Sequence, residues 1–175
     1  MKFYSGFSLK NEQHFFKEYT NISDYSVCGF SYGAIKAFLY VKEQLELKKR
    51  VDTLQLLSPA FFQTKDDKFK KIQLMAYRKS KDLYLSEFIK SCFLPHFEKS
   101  IEREENSAQE LEELLYFKWN IEELKILAQK GVKIEVYLGG EDKIIDIEGA
   151  REFFKEIATV TYIKEANHFL YGEKI

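Results

Sequence analysis

A serine stands between two glycines in Gly29-Phe30-Ser31-Tyr32-Gly33, directly after the run Tyr25-Ser26-Val27-Cys28. The spacing is G-x-S-x-G, which suits a serine lifted at a sharp turn between a strand and a helix. Glycines on both sides permit a backbone approach that side chains would block. The N-terminus of a following helix adds positive potential at the hydroxyl. A serine is a poor nucleophile until a base takes its proton. Three histidines are available, His14, His96 and His168. His14 precedes the serine on an expected helix and reads as a surface or half-buried residue. His96 lies in Leu94-Pro95-His96-Phe97, where packing is the ordinary role. His168 follows the last expected strand in Glu165-Ala166-Asn167-His168-Phe169 and overhangs the same sheet edge as Ser31, so it is the expected base. An orienting acid is expected from Gly139-Gly140-Glu141-Asp142, after the fourth strand. Asp142 is preferred because the glycines let the chain turn before it, with Asp146 and Glu141 as alternatives.

These residues need a scaffold that brings three distant segments to one edge. Short apolar runs alternate with amphipathic stretches, the pattern of an α/β fold with a mostly parallel sheet. Strands are expected near 2–5, 25–29, 53–58, 133–138 and 159–164, and helices near 9–20, 32–48, 120–130 and 147–157. In the second helix Ile35, Phe38, Leu39 and Leu45 fall along one side. Gly131 is placed to end the helix before it. Apolar residues alternate with Gln55 in the third strand and with Glu135 and Tyr137 in the fourth. A sheet covered on both faces reads as continuously apolar. The alternation predicts helices on one face, strand order 1-2-3-4-5, and a second face that is solvated or used in self-association. Residues 61–118 break the pattern and read as a helical insertion, leaving 1–60 and 119–175 as the core.

Composition narrows the classes. The chain has 175 residues and 45% hydrophobic content, enough for one domain with a real core. Its 27 basic and 28 acidic side chains nearly cancel, so no global basic field points to nucleic acid. Cys28 and Cys92 make neither a disulfide framework nor a zinc site. The chain opens without the apolar core of a signal peptide and holds no membrane-length run. A cytoplasmic protein without membrane association is expected.

With three motifs in the order Ser…Asp…His, the chain resembles the α/β-hydrolases over most of its length. Gly29-Phe30-Ser31-Tyr32-Gly33 resembles their nucleophile elbow. Gly139-Gly140-Glu141-Asp142-Lys143-Ile144-Ile145 resembles their acid loop, and Ala166-Asn167-His168-Phe169-Leu170 their histidine loop. The resemblance implies a catalytic triad of Ser31, Asp142 and His168 in a minimal member of the fold, with no cofactor. Ser5-Gly6-Phe7 resembles the oxyanion loop, although the family usually has His-Gly there. The implied oxyanion donors are the amides of Phe7 and Tyr32. The chain starts at what would be the family's third strand, and the fourth is missing. The whole sequence further resembles the short pimeloyl-[acyl-carrier protein] methyl ester esterases of helicobacters. That resemblance implies hydrolysis of the methyl ester of a pimeloyl-acyl-carrier protein in biotin synthesis.

A carrier protein of this kind is acidic. Lys65, Lys68, Lys70, Lys71, Arg78, Lys79 and Lys81 form a local basic patch in the insertion, suited to steer such a partner. A merely solvated face is the competing reading. Phe61, Phe62, Phe69, Tyr77, Phe93 and Phe97 suit a channel for an acyl chain or, equally, an aromatic core. The acidic run from Glu102 to Glu113 is expected to be a solvated helix. Two other functions fit the same residues: a generic esterase or thioesterase, and a non-catalytic module that binds acyl-carrier protein.

Overall fold

The computed structural model describes residues 1–172. The final three positions of the expected core segment 119–175 lie outside the described residues. Five parallel strands form the main sheet: β1 (Lys2–Tyr4), β3 (Ser26–Phe30), β4 (Thr53–Leu57), β6 (Lys133–Gly139) and β7 (Thr159–Ile163), adjacent in chain order. This is the expected succession 1-2-3-4-5. Two further strands of two residues each, β2 (Leu9–Lys10) and β5 (Glu102–Arg103), pair antiparallel in a separate ribbon. Parallel neighbours require crossovers, and helices supply them after β3, β4 and β6.

Helix α1 (Tyr32–Glu46) starts directly at the turn after β3. Its buried stripe is Ala34, Ile35, Ala37, Phe38 and Val41, whereas Leu39 is 47% exposed and lies off the expected face. Helices α5 (Ile121–Gln129) and α6 (Ile147–Phe154) bury Leu124, Leu127, Ala150 and Phe154 in the same core, against Leu54, Leu56, Ile134 and Val136 of the sheet. Asn120 caps α5 through the amides of Glu122 and Glu123, and Asp146 caps α6 through the amide of Gly149. Gly131 has φ 90°, so the chain leaves α5 through a left-handed residue as expected.

Between β4 and α5 lie α2 (Asp67–Lys79), α3 (Lys81–Phe93) and α4 (Ala108–Tyr116), together with β5. Asp66 caps α2, and Ser107 with Glu110 forms a capping box on α4. The acidic run at 102–113 is not one solvated helix. Its first residues make β5, and Glu113 accepts a hydrogen bond of 2.7 Å from the Tyr32 hydroxyl on α1.

The second face of the sheet differs from expectation. Residues 9–20 hold β2 and a 3₁₀ helix (Glu12–Phe16) instead of an α-helix. Asn11 takes a left-handed φ of 61°, which breaks helical continuity at its start. The segment then runs back under the sheet. Phe16 packs tilted against Phe30 at 4.7 Å, and Phe93 stacks on Phe169 at 4.5 Å, in a second core with Cys28 and Leu57. Gln55 is 1% exposed. It donates to the Tyr19 carbonyl and to Glu135, both at 2.8 Å, and accepts from the Asn21 amide at 2.7 Å. The alternating polar residues therefore serve a hydrogen-bonded layer under an irregular segment, not a face in water.

Candidate active site

The turn after β3 is tight. Ser31 has φ 52° and ψ −116°, a conformation that L-residues rarely adopt. A Cβ on Gly29 would lie 2.1 Å from the Gly33 carbonyl oxygen, and one on Gly33 would lie 2.0 Å from the Tyr4 carbonyl oxygen. Both glycines are thus required by contact, and the second lets the end of β1 cross the start of α1. Ser31 is held from behind as well: its amide donates to the Leu57 carbonyl at 2.9 Å.

His168 lies beyond β7 and is fully buried. Its Nε2 is 3.0 Å from Ser31 Oγ, and its Nδ1 is 2.6 Å from Asp142 Oδ2. The other carboxylate oxygen of Asp142 accepts from the amides of Ile144 at 2.7 Å and Ile145 at 3.3 Å. A carboxylate so held accepts a proton-bearing Nδ1, which leaves Nε2 free to accept from the serine hydroxyl. The arrangement can move a proton from Ser31 to the imidazole and stabilise the resulting imidazolium.

The alternatives to these residues lie elsewhere. Asp146 is engaged in capping α6 and accepts from the Thr64 hydroxyl at 2.7 Å. That hydroxyl, then the Gly149 amide, hold its carboxyl below the usual range. Glu141 pairs with Lys143 at 3.2 Å. His14 is exposed and bonds the Asn11 carbonyl, and His96 bonds the Glu165 carbonyl at 2.8 Å.

The loop Ser5-Gly6-Phe7 passes over the turn, as the contacts of Gly33 require. Among the described residues, neither the Phe7 amide nor the Tyr32 amide donates to another backbone group in this turn. The Phe7 ring packs against Tyr77 and Phe88 of the insertion. Tyr32 carries a phenol pushed up by burial and by its bond to Glu113.

Ser31 itself is 5% exposed. A cavity of about 280 Å³ is lined by Phe7, Phe62, Phe69, Phe88, Leu111 and Ile144, with Gln73, Tyr84, Glu87, Ser91 and Lys143 as polar and charged wall residues. Ile144 follows Asp142 by two positions, so the cavity borders the acid loop. Of the expected channel aromatics, Phe62 and Phe69 line this space. Phe61 packs on Phe153 and Phe154, Phe93 lies in the second core, and Phe97 is 84% exposed.

Within the expected basic patch, Lys65, Lys68, Lys71, Arg78 and Lys79 are exposed. Lys70 is not part of that surface: it is buried, with Nζ 4.9 Å from the centre of the Tyr116 ring. Its stem fills space between α2 and α4, a packing role that a list of charges does not reveal. Lys81 is half-buried and donates to the Asn106 carbonyl at 2.8 Å.

Sequence reasoning missed Asn167. It is fully buried, donates to the Phe93 carbonyl at 2.9 Å, and accepts from the amides of Phe169 and Tyr171. It ties the histidine loop to the end of α3. Its neighbourhood to His168 was the only signal, and its long-range partner was not readable.

No protein-family model matches the chain, and no curated protein matches it by sequence. Solved structures do. BioG from Haemophilus influenzae aligns with a TM-score of 0.57 at 10% identity, covering 95% of this chain and 87% of that one. A bromoperoxidase from Bacillus anthracis aligns at 0.62 and 14% identity, covering 83% and 60%. The naproxen esterase of Bacillus subtilis aligns at 0.52 and 17% identity, covering 83% and 53%. The chain spans little more than half the length of the latter two proteins. What these likenesses share with the sheet order and the turn after β3 is architecture: the chain has the α/β-hydrolase fold.

Proposed function

We propose that the protein hydrolyses carboxylic esters by a serine mechanism, and that its substrate is the methyl ester of a pimeloyl-acyl-carrier protein. The observation that carries the reaction type is the continuous hydrogen-bonded chain Ser31–His168–Asp142 at a strained turn. Ser31 Oγ attacks the ester carbonyl carbon while His168 Nε2 takes its proton. The oxyanion is met by the amides of Tyr32 and Phe7. His168 returns the proton to the leaving oxygen and methanol departs. Water then attacks the acyl-enzyme, giving its proton to His168. The acyl C–O bond breaks, Ser31 recovers its proton, and the free carboxylic acid is released.

The substrate rests on the sequence resemblance and on two features of the insertion. The cavity of about 280 Å³, aromatic and aliphatic on much of its wall with Glu87 and Lys143 also lining it, suits a medium-length acyl chain. The exposed side of α2 interleaves Lys68, Lys71, Arg78 and Lys79 with Ile72 and Met75, which are 51% and 67% exposed. Cations around apolar side chains complement an acidic partner that also buries apolar surface.

The test is the mass of the product formed from methyl-pimeloyl carrier protein. Loss of methyl with the acyl group still on its carrier is the expected result. Release of the acyl group from the carrier would make the protein a thioesterase. No change, with carrier binding retained, would make it a binding module. Charge reversal at Lys68, Lys71, Arg78 and Lys79 tests the docking surface. Turnover of the carrier-linked ester is expected to fall about tenfold or more, mainly through KM and with stronger salt dependence in the wild type. A free short-chain methyl ester is expected to change less than about twofold. Equal losses on both substrates would remove α2 from the docking role.

A further inference from the structure

The loop that offers the Phe7 amide is held by a side chain with no assigned role. Glu12 is fully buried in the 3₁₀ helix, and its Oε1 accepts from the Gly6 amide at 2.7 Å. Among the described residues its Oε2 has no hydrogen-bond partner. A carboxyl group in such a place is costly to desolvate, and glutamine would satisfy the Gly6 amide without the charge. Burial is the main cause that pushes the carboxyl above its ordinary range, while the amides of Gly6 and of Glu12 itself pull against it.

The contact fixes one side of a glycine that is clamped on the others. A Cβ on Gly6 would lie 2.9 Å from the Phe30 ring and 3.2 Å from Leu9, so the loop sits flush on the core. The Gly6 carbonyl accepts from the Leu9 amide at 3.2 Å. In a trans peptide the N–H points opposite to the C=O. The bond to Leu9 therefore turns the next amide, that of Phe7, away from Leu9 and leaves it without a backbone acceptor among the described residues. Two planes meet at Gly6, one held by Glu12 and the other by Leu9.

We propose that Glu12 is a positioning residue for the oxyanion site, holding the Gly6 peptide so that the Phe7 amide faces the carbonyl oxygen of the bound ester. The inference rests on the esterase reading given above. The left-handed Asn11 precedes the 3₁₀ helix whose first residue is Glu12.

The test compares methyl hexanoate with its thiono analogue, in which sulfur replaces the carbonyl oxygen. Sulfur accepts hydrogen bonds weakly and lies further from carbon, so a well-placed donor favours the oxygen ester. The ratio of kcat/KM for the two esters cancels the concentration of folded enzyme, so a purely structural loss leaves it unmoved. Glu12→Ala is expected to lower the ratio about tenfold or more. Glu12→Asp, one methylene shorter, keeps the carboxyl group but withdraws the acceptor, and is expected to lower the ratio in the same direction. Glu12→Gln keeps an acceptor for Gly6 and is expected to hold the ratio within about threefold of wild type. A ratio unmoved in both Glu12→Ala and Glu12→Asp would overturn the proposal, as would a glutamine variant as damaged as alanine. A wild-type protein inert toward both esters would overturn the esterase reading itself.

Discussion

Replacing Ser31 with alanine is expected to lower kcat for methyl ester hydrolysis by about 10⁴-fold or more. The hydroxyl is the atom that would bond to the carbonyl carbon, and no neighbouring side chain can replace it in that geometry. The same substitution is expected to abolish covalent labelling by a small fluorophosphonate. A small reagent is the better probe because Ser31 is only 5% exposed. His168→Ala is expected to lose about as much, and the double variant little more than either single one, because nucleophile and base act as a unit. Thermal unfolding separates this from misfolding, since the Ser31 hydroxyl contributes one hydrogen bond to the fold. Methanol release that continues in Ser31→Ala would remove the serine from the reaction.

The two aspartates after β6 are expected to behave in opposite ways. Asp142→Asn keeps shape and volume but changes what His168 Nδ1 meets. The asparagine amide can donate where the carboxylate could only accept, which favours the tautomer with its proton on Nε2. That nitrogen then cannot take the serine proton, and kcat is expected to fall by about 10⁴-fold. Asp146→Ala is expected to leave kcat within about twofold and to cost about 1 kcal/mol of stability through the lost helix cap. The Asp146 carboxyl is held below its ordinary value of 3.8. The native state thus favours its ionised form, and the stabilisation is present above that value. It is lost as pH falls through the lowered pKa, so the stability gap between wild type and Asp146→Ala is expected to narrow in acid. Kinetics and thermal melts of both variants check the pair. A large rate loss in Asp146→Ala, or normal rates in Asp142→Asn, would reverse the assignment.

Much of the frame was legible because it depends on local spacing. The period-two runs and the helices between them place the ends of β3, β6 and β7 on one edge of a parallel sheet. Gly29 and Gly33 mark a turn that no larger residue tolerates, and the contacts at both positions give the reason. The order of five strands was expected from right-handed crossovers and from the alternation at Gln55 and Glu135, and the sheet has that order.

The same alternation misled as to what covers the second face. Polarity at Gln55 states that a hydrogen bond is needed, without stating whether water or Tyr19, Asn21 and Glu135 provide it. Likewise, a lysine's charge says nothing of the ring that will face it, and Lys70, expected at the surface, is buried with its ammonium over Tyr116. Between Asp142 and Asp146 the sequence offered a preference and no decision, since both follow the same strand. In the tertiary structure the cap of α6 takes Asp146, while the loop from β7 brings His168 Nδ1 to Asp142. Sequence alone determined the glycine-flanked turn at Ser31 and most of the apolar stripe of α1, because these are properties of neighbours along the chain. Which distant group satisfies each buried donor or acceptor depends on how the segments meet, and the contacts of Glu12 and Asn167 appear only there.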